Sequence, residues 1–124
     1  MKRILIIDDD PDIREIAMTG FEIAGGWEAR EAASGLEGVK LARSNPPDVI
    51  LLDVMMPEMD GPTTVALLQN DARTRNVPII YLTAKIHLTG RERVCGFISK
   101  PFNPLTLPAD VEAIMSRTAR VVAQ

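Results

Sequence analysis

Short unbroken apolar runs alternate along this chain with stretches in which apolar residues recur every three or four positions. Ile4-Leu5-Ile6-Ile7 and Val49-Ile50-Leu51-Leu52 are continuous and rich in branched side chains. Such runs suit strands covered on both faces. Val77 to Leu82 reads the same way and ends at Thr83, while Gly96-Phe97-Ile98-Ser99 is a shorter strand ending at Lys100-Pro101. A weaker strand spans Trp27 to Ala32, with Trp27 anchoring the turn into it.

Between the strands the period changes. Asp10 can cap a helix and Pro11 fits its first turn. Ile13, Ile16, Ala17, Phe21 and Ala24 follow at helical spacing until Gly25-Gly26 stops the helix. Ser34 with Glu37 reads as a capping box for a second helix running to about Arg43, and Asn45-Pro46-Pro47 breaks it. After a loop holding Pro57, Asp60 and Gly61, where Asp60 reads as a turn residue, Pro62 opens a third helix carrying Val65, Leu67 and Leu68. A final helix begins between Asn103 and Pro108 and sets Val111, Ile114 and Met115 on one face. Strands alternating with helices imply parallel pairing through right-handed crossovers. The expected fold is α/β, a doubly wound five-stranded parallel sheet in the order 2-1-3-4-5.

Composition narrows the class. The 124 residues suffice for one domain, taken as 1–124, and 46% hydrophobic with 25% charged residues suits a packed globule. Lys and Arg total 14 against 17 Asp and Glu, a net charge of -3, which offers no basic field for direct DNA binding. No apolar run reaches membrane-spanning length. The single cysteine, Cys95, fits a reducing cytoplasmic setting and reads as a small packed residue.

The chemistry gathers where the strands end. The first ends in Asp8 and Asp9, the third in Asp53, the fourth in Thr83 and the fifth in Lys100. In a parallel sheet these ends share one edge, so the fold collects three carboxylates, a hydroxyl and an ammonium. At about 4 Å and an effective dielectric near 20, each carboxylate pair costs roughly 4 kcal/mol. One lysine cannot neutralise three acids. Oxygen donors without histidine or cysteine favour Mg²⁺ over zinc or copper, and a phosphate-like ligand would complete its shell. Asp10 and Asp12 read as cap and loop residues, and His87 as an exposed loop histidine. Arg91-Glu92-Arg93 reads as a solvated face.

Four stretches, ILIIDDDPDIRE, PPDVILLDVMMPEMDG, VPIIYLTAK and GFISKPFNPLTLP, together resemble the CheY-like receiver domain of two-component response regulators. The resemblance implies a flavodoxin-like fold and a phosphoacceptor regulatory domain that assists its own phosphorylation and dephosphorylation, rather than an enzyme. By that resemblance Asp53 is the phosphoacceptor. Asp8, Asp9, Asp53 and the backbone carbonyl of Met55 are the Mg²⁺ ligands. Thr83 and Lys100 bind the phosphoryl group, Lys100 pairing with Asp53 beforehand, and Thr83 with Phe97 forms the switch. Lys100-Pro101 matches a cis peptide, and Lys85 lies near the site mouth. The implied donor is a phosphohistidine of a sensor histidine kinase or a histidine phosphotransfer protein. The implied output is a changed surface for a downstream protein that the sequence does not identify.

The chain departs from the family between Thr83 and Lys100, where 84–96 is shorter than usual. A short fourth helix, about two turns from Gly90 to Cys95, is the expectation there. A monomer with that short helix is one outcome. The other is a homodimer in which the segment from about Gly96 onward swaps between copies. Three readings compete: a receiver cut from a larger regulator, a phosphohydrolase with an aspartyl-phosphate intermediate, and a flavin-binding protein. Met55 stands where the phosphohydrolase would carry a second acid, and Asp8-Asp9-Asp10 would repel a flavin phosphate.

Overall fold

The structure, a computed structural model, describes residues 1–84 and 94–123, with side chains as far as 117. Its elements follow the chain as β1 (Lys2–Ile7), α1 (Pro11–Ala24), β2 (Trp27–Ala32), α2 (Gly35–Ser44), β3 (Val49–Asp53), α3 (Gly61–Gln69), β4 (Ile79–Thr83), β5 (Gly96–Ser99) and α4 (Leu107–Ala123). The five strands form one parallel sheet in the order β2-β1-β3-β4-β5.

The apolar pattern sorts the strands. β3 and β4 are buried at every position and β1 over its last four residues, and these three fill the centre. β2 alternates between partly buried and exposed at its start and takes one edge, and the short β5 takes the other. Successive side chains of a strand face opposite sides, so the sheet carries two cores. Leu5, Ile7, Ile50, Leu52, Ile79 and Tyr81 pack with Val39, Val65 and Leu68 on the side of α2 and α3. Ile4, Ile6, Leu51, Ile80 and Leu82 pack with Phe21, Leu107 and Val111 on the side of α1 and α4. Cys95 lies against the second core. Trp27 meets Phe21 edge-on at 4.9 Å, where the chain leaves Gly25 and Gly26, both at positive φ.

Helix ends follow their caps. Asp10 accepts a hydrogen bond from the Asp12 N–H at 2.9 Å, and Ser34 accepts one from the Glu37 N–H at 3.1 Å. The Glu37 carboxylate returns to the N–H of Ala33, one residue before the cap. Asp60 is a helix cap and not only a turn residue: it accepts from the Thr63 N–H at 2.9 Å, and α3 starts at Gly61, one residue earlier than Pro62. β4 starts at Ile79, later than the apolar run suggests. Val77 donates its N–H to Thr74 in a turn, and Pro78 has none to give.

The expected helix at Gly90 to Cys95 falls mostly on 85–93, outside the described residues, as do the readings of Lys85, His87 and Arg91-Glu92-Arg93. Cys95 donates its N–H to Ile79, and β5 pairs with β4 of the same chain from Gly96 onward. Completing the sheet therefore requires no second copy. Among the described residues no helix is long and apolar enough to cross a membrane.

Candidate functional site

The register of the central strands sets the site. Asp53, the last residue of β3, lies opposite Leu82, and Thr83, the last of β4, lies opposite Ser99 of β5. Asp8 follows β1 directly and Lys100 follows β5 directly. The Lys100 N–H donates to the Thr83 carbonyl at 2.8 Å, and the Lys100–Pro101 bond is cis. A cleft of about 420 Å³ opens at this edge, lined by Asp8, Asp9, Asp53, Met55, Thr83 and Lys100 among others.

The three acids differ in exposure. Asp8 is fully buried and Asp53 is 5% exposed, whereas Asp9 faces solvent. One carboxylate oxygen from each lies within 4.8 Å of the others. Lys100 Nζ reaches Asp8 Oδ2 at 2.8 Å and Asp53 Oδ1 at 3.2 Å. The ammonium is thus shared, with the shorter approach to Asp8. Burial first, and the Asp8 charge second, push the Asp53 carboxyl up from 3.8 to about 6, while Lys100 pulls the other way. Burial works against the Lys100 ammonium, but Asp8 and Asp53 outweigh it and raise its pKa above 10.5.

This donor set fits a hard divalent cation. It is all oxygen, it carries excess negative charge, and Asp8 Oδ2 has an ion pair but no well-directed hydrogen bond. Met55 extends to the mouth with its side chain 81% exposed, while Met56 turns into the core. Thr83 is buried in the cleft wall.

The loop after Asp53 is held tightly. Gly61 donates its N–H to the Val54 carbonyl at 2.8 Å. A Cβ on Gly61 would stand 2.9 Å from Val54 Cα and 3.2 Å from the Asp53 carbonyl oxygen, so only glycine lets α3 close onto the acid. Glu58 takes a φ of 68° in the same loop, beside the turn in which Met59 donates to the Pro57 carbonyl.

Phe97 does not line the cleft. It is 43% exposed on β5, opposite Tyr81, with ring centroids 6.2 Å apart. It borders a separate groove of about 630 Å³ between β5 and α4, with Phe102, Ile114 and Arg117.

Arg14, which sequence reasoning left without a role, also reaches the acid loop, and Glu31 holds it from the neighbouring strand. Arg14 donates through Nη1 to the Asp8 carbonyl at 2.8 Å and through Nε to Glu31 Oε1 at 2.8 Å. A cation one turn into the helix that follows an acid-tipped strand is the pattern that could have pointed to it.

A family profile for the response regulator receiver domain matches residues 4–112. The DNA-binding dual master transcriptional regulator RpaA of Synechocystis sp. (strain PCC 6803) is 40% identical over 117 residues, covering 94% of this chain and 47% of that protein. Protein PilH of Pseudomonas aeruginosa (strain PAO1) is 35% identical over 123 residues, covering 99% of each. The chain spans about half the length of the first curated relatives it matches. Among solved structures, the chemotaxis protein CheY4 of Vibrio cholerae shares the fold with a TM-score of 0.85 and 30% identity, covering 92% of this chain and 98% of that one.

Proposed function

The chain belongs to the response regulator receiver domain family, and on that premise we propose that Asp53 accepts a phosphoryl group from a phosphohistidine of a sensor histidine kinase or a histidine phosphotransfer protein. The observation that carries the reading is Asp53 itself. It is a nearly buried carboxylate at a strand end, with Lys100 Nζ 3.2 Å away and two further acids within cation-binding reach.

The mechanism follows from what each group can do. With its pKa near 6, Asp53 is ionised at neutral pH yet poorly solvated, which suits a nucleophile. A carboxylate oxygen attacks phosphorus in line with the P–N bond. That bond breaks, its electron pair stays on the imidazole nitrogen, and an acyl phosphate forms on Asp53. Asp8, Asp9, Asp53 and the Met55 carbonyl would hold Mg²⁺, which supplies positive charge to the oxygens of the moving group. Lys100 leaves Asp53 to pair with a phosphoryl oxygen, and the Thr83 hydroxyl donates to another. Thr83 follows its new acceptor, and Phe97, already half-exposed beside Tyr81, turns into the space and alters the surface offered to a downstream protein. Moving such a switch from 1:99 to 99:1 requires about 5.5 kcal/mol of preference from the phosphoryl group.

A second reading concerns context. Relatives such as RpaA are about twice as long as the matched region, which supports a receiver working as the regulatory part of a longer regulator; the length of PilH supports one working alone. The proposed phosphoacceptor chemistry is the same in both. The phosphohydrolase reading gains nothing here, since the residue two after Asp53 is Met55.

Incubation with acetyl phosphate and Mg²⁺, followed by intact mass, tests the proposal. The protein should gain the mass of one phosphoryl group, lose it on hydroxylamine treatment, and gain none in EDTA or as Asp53→Asn. Undiminished labelling of Asp53→Asn would remove the assignment.

A further inference from the structure

Each polar group of Asp8 has a partner. Its N–H donates to the Ala32 carbonyl at 3.1 Å, its Oδ1 accepts from the Asp10 N–H at 2.9 Å, and its Oδ2 pairs with Lys100. The remaining group, the backbone carbonyl, accepts from Arg14 Nη1 at 2.8 Å. The local backbone leaves that acceptor little else. Pro11, three residues on, has no N–H, and the Asp12 N–H is taken by the Asp10 cap. A buried carbonyl without a donor is unfavourable, and Asp8 is fully buried. Arg14 supplies the donor from inside α1.

We propose that Arg14 is a positioning residue for the cation site: it fixes the β1–α1 turn that carries Asp8 and Asp9, and Glu31 orients it. The inference rests on the phosphoacceptor reading above. Its geometry suits a guanidinium and not an ammonium. Nη1 and Nε donate in two fixed directions at once, to the Asp8 carbonyl and to Glu31 on the neighbouring strand, both at 2.8 Å. The Arg14 side chain is only 15% exposed, so the pairing is held away from bulk water. Glu31 has a second effect. A bare guanidinium behind Asp8 would oppose a dication in the cleft, and the Glu31 carboxylate offsets that charge. The turn is therefore braced without an added field against the cation. Partners one step removed from a metal ligand commonly set its affinity by orienting it.

The test uses Mg²⁺ alone as the probe, titrated calorimetrically into the full chain, alongside acetyl phosphate labelling across a Mg²⁺ series. Arg14→Lys keeps the charge and loses the fork; Arg14→Gln loses both. In each, the Mg²⁺ Kd should weaken about tenfold. The Mg²⁺ concentration for half-maximal labelling should rise by the same factor while the maximal rate falls much less. A merely structural role would instead lower the melting temperature and the maximal rate and leave the Kd unchanged. If Arg14→Gln does not fold, Glu31→Ala decides: it should weaken Mg²⁺ binding, and combined with Arg14→Lys it should add less than its separate effect. A wild-type Kd in Arg14→Lys and Glu31→Ala overturns the inference and leaves the phosphoacceptor reading standing. Failure of the wild-type protein to bind Mg²⁺ or to take up phosphoryl refutes that underlying reading instead.

Discussion

Asp53 and Asp71 both lie within ion-pair distance of a cation, and their surroundings treat the charge in opposite ways. Asp71, just after α3, receives Arg73 through its backbone N–H at 2.8 Å, its Nε at 3.0 Å and its Nη2 at 2.8 Å, and Arg43 of α2 approaches at 3.1 Å. The Arg73 hydrogen bonds hold its carboxyl well below the ordinary range. Asp53 instead shares one lysine with Asp8 and is pushed up to about 6. One acid is satisfied by the folded chain and ties α2 to the loop after α3. Among the described residues the other has only Lys100, shared with Asp8, and under the proposed function the remaining positive charge comes from a bound cation. Acidity at the surface carries little information about function, whereas a buried acid with too few cations does.

Four experiments would break or sharpen this contrast. The largest effect is expected from Lys100→Met. Removing the ammonium that bridges two buried acids should cost about 3 kcal/mol at pH 8. The raised Lys100 pKa means its contribution is complete below its ordinary 10.5. The loss should shrink at pH 5, where Asp53 takes up a proton, and an equal loss in urea melts at both pH values would reduce Lys100 to packing. Next, Mg²⁺ at a hundredfold excess over its Kd should stabilise the protein by about 2.7 kcal/mol. Asp71→Asn should keep that shift in thermal melts and Asp53→Asn should lose most of it; equal shifts in both would dissolve the distinction. Third, Asp53→Asn without Mg²⁺ should gain on the order of 2 kcal/mol at pH 7. A folded pKa near 6 against 3.8 makes the ionised form unfavourable to folding, so the gain is absent below about pH 4 and complete above about pH 6. A loss at pH 7 would contradict the charge account. The smallest effect, of opposite sign, belongs to Asp71→Asn. A lowered pKa stabilises the fold above 3.8 and loses that stabilisation as pH falls through the folded value, so the variant should be modestly less stable at pH 7 and converge with wild type in acid.

The fold was legible where a local pattern and the tertiary outcome agree. Runs such as Ile4 to Ile7 and Val49 to Leu52 are apolar without alternation because they occupy central strands, and Asp10 and Ser34 cap the helices their types announce. The start of β4 was not, because Val77 shares the apolar character of Ile79 but spends its N–H on a turn. Asp60 looks like a turn residue in the sequence because capping depends on where α3 starts, and that start is set by Gly61 closing onto Val54. The acids of the cleft could be named because each ends a strand. That Lys100 approaches Asp8 more closely than Asp53, and that Arg14 braces Asp8 from α1 with help from β2, depend on how helix and strands sit together; no spacing along the chain encodes them.

Lys100 follows an edge strand of four residues, and about three quarters of the chain separates it from Asp8. During synthesis, which proceeds from the amino terminus, the three acids emerge long before their counter-ion. An unfinished chain that had folded its first three strands would carry the repulsion of the gathered acids without Lys100. Occupancy of the cleft would then report that translation has reached its last strand, and a polypeptide stalled ahead of Gly96 should be silent to every phosphodonor.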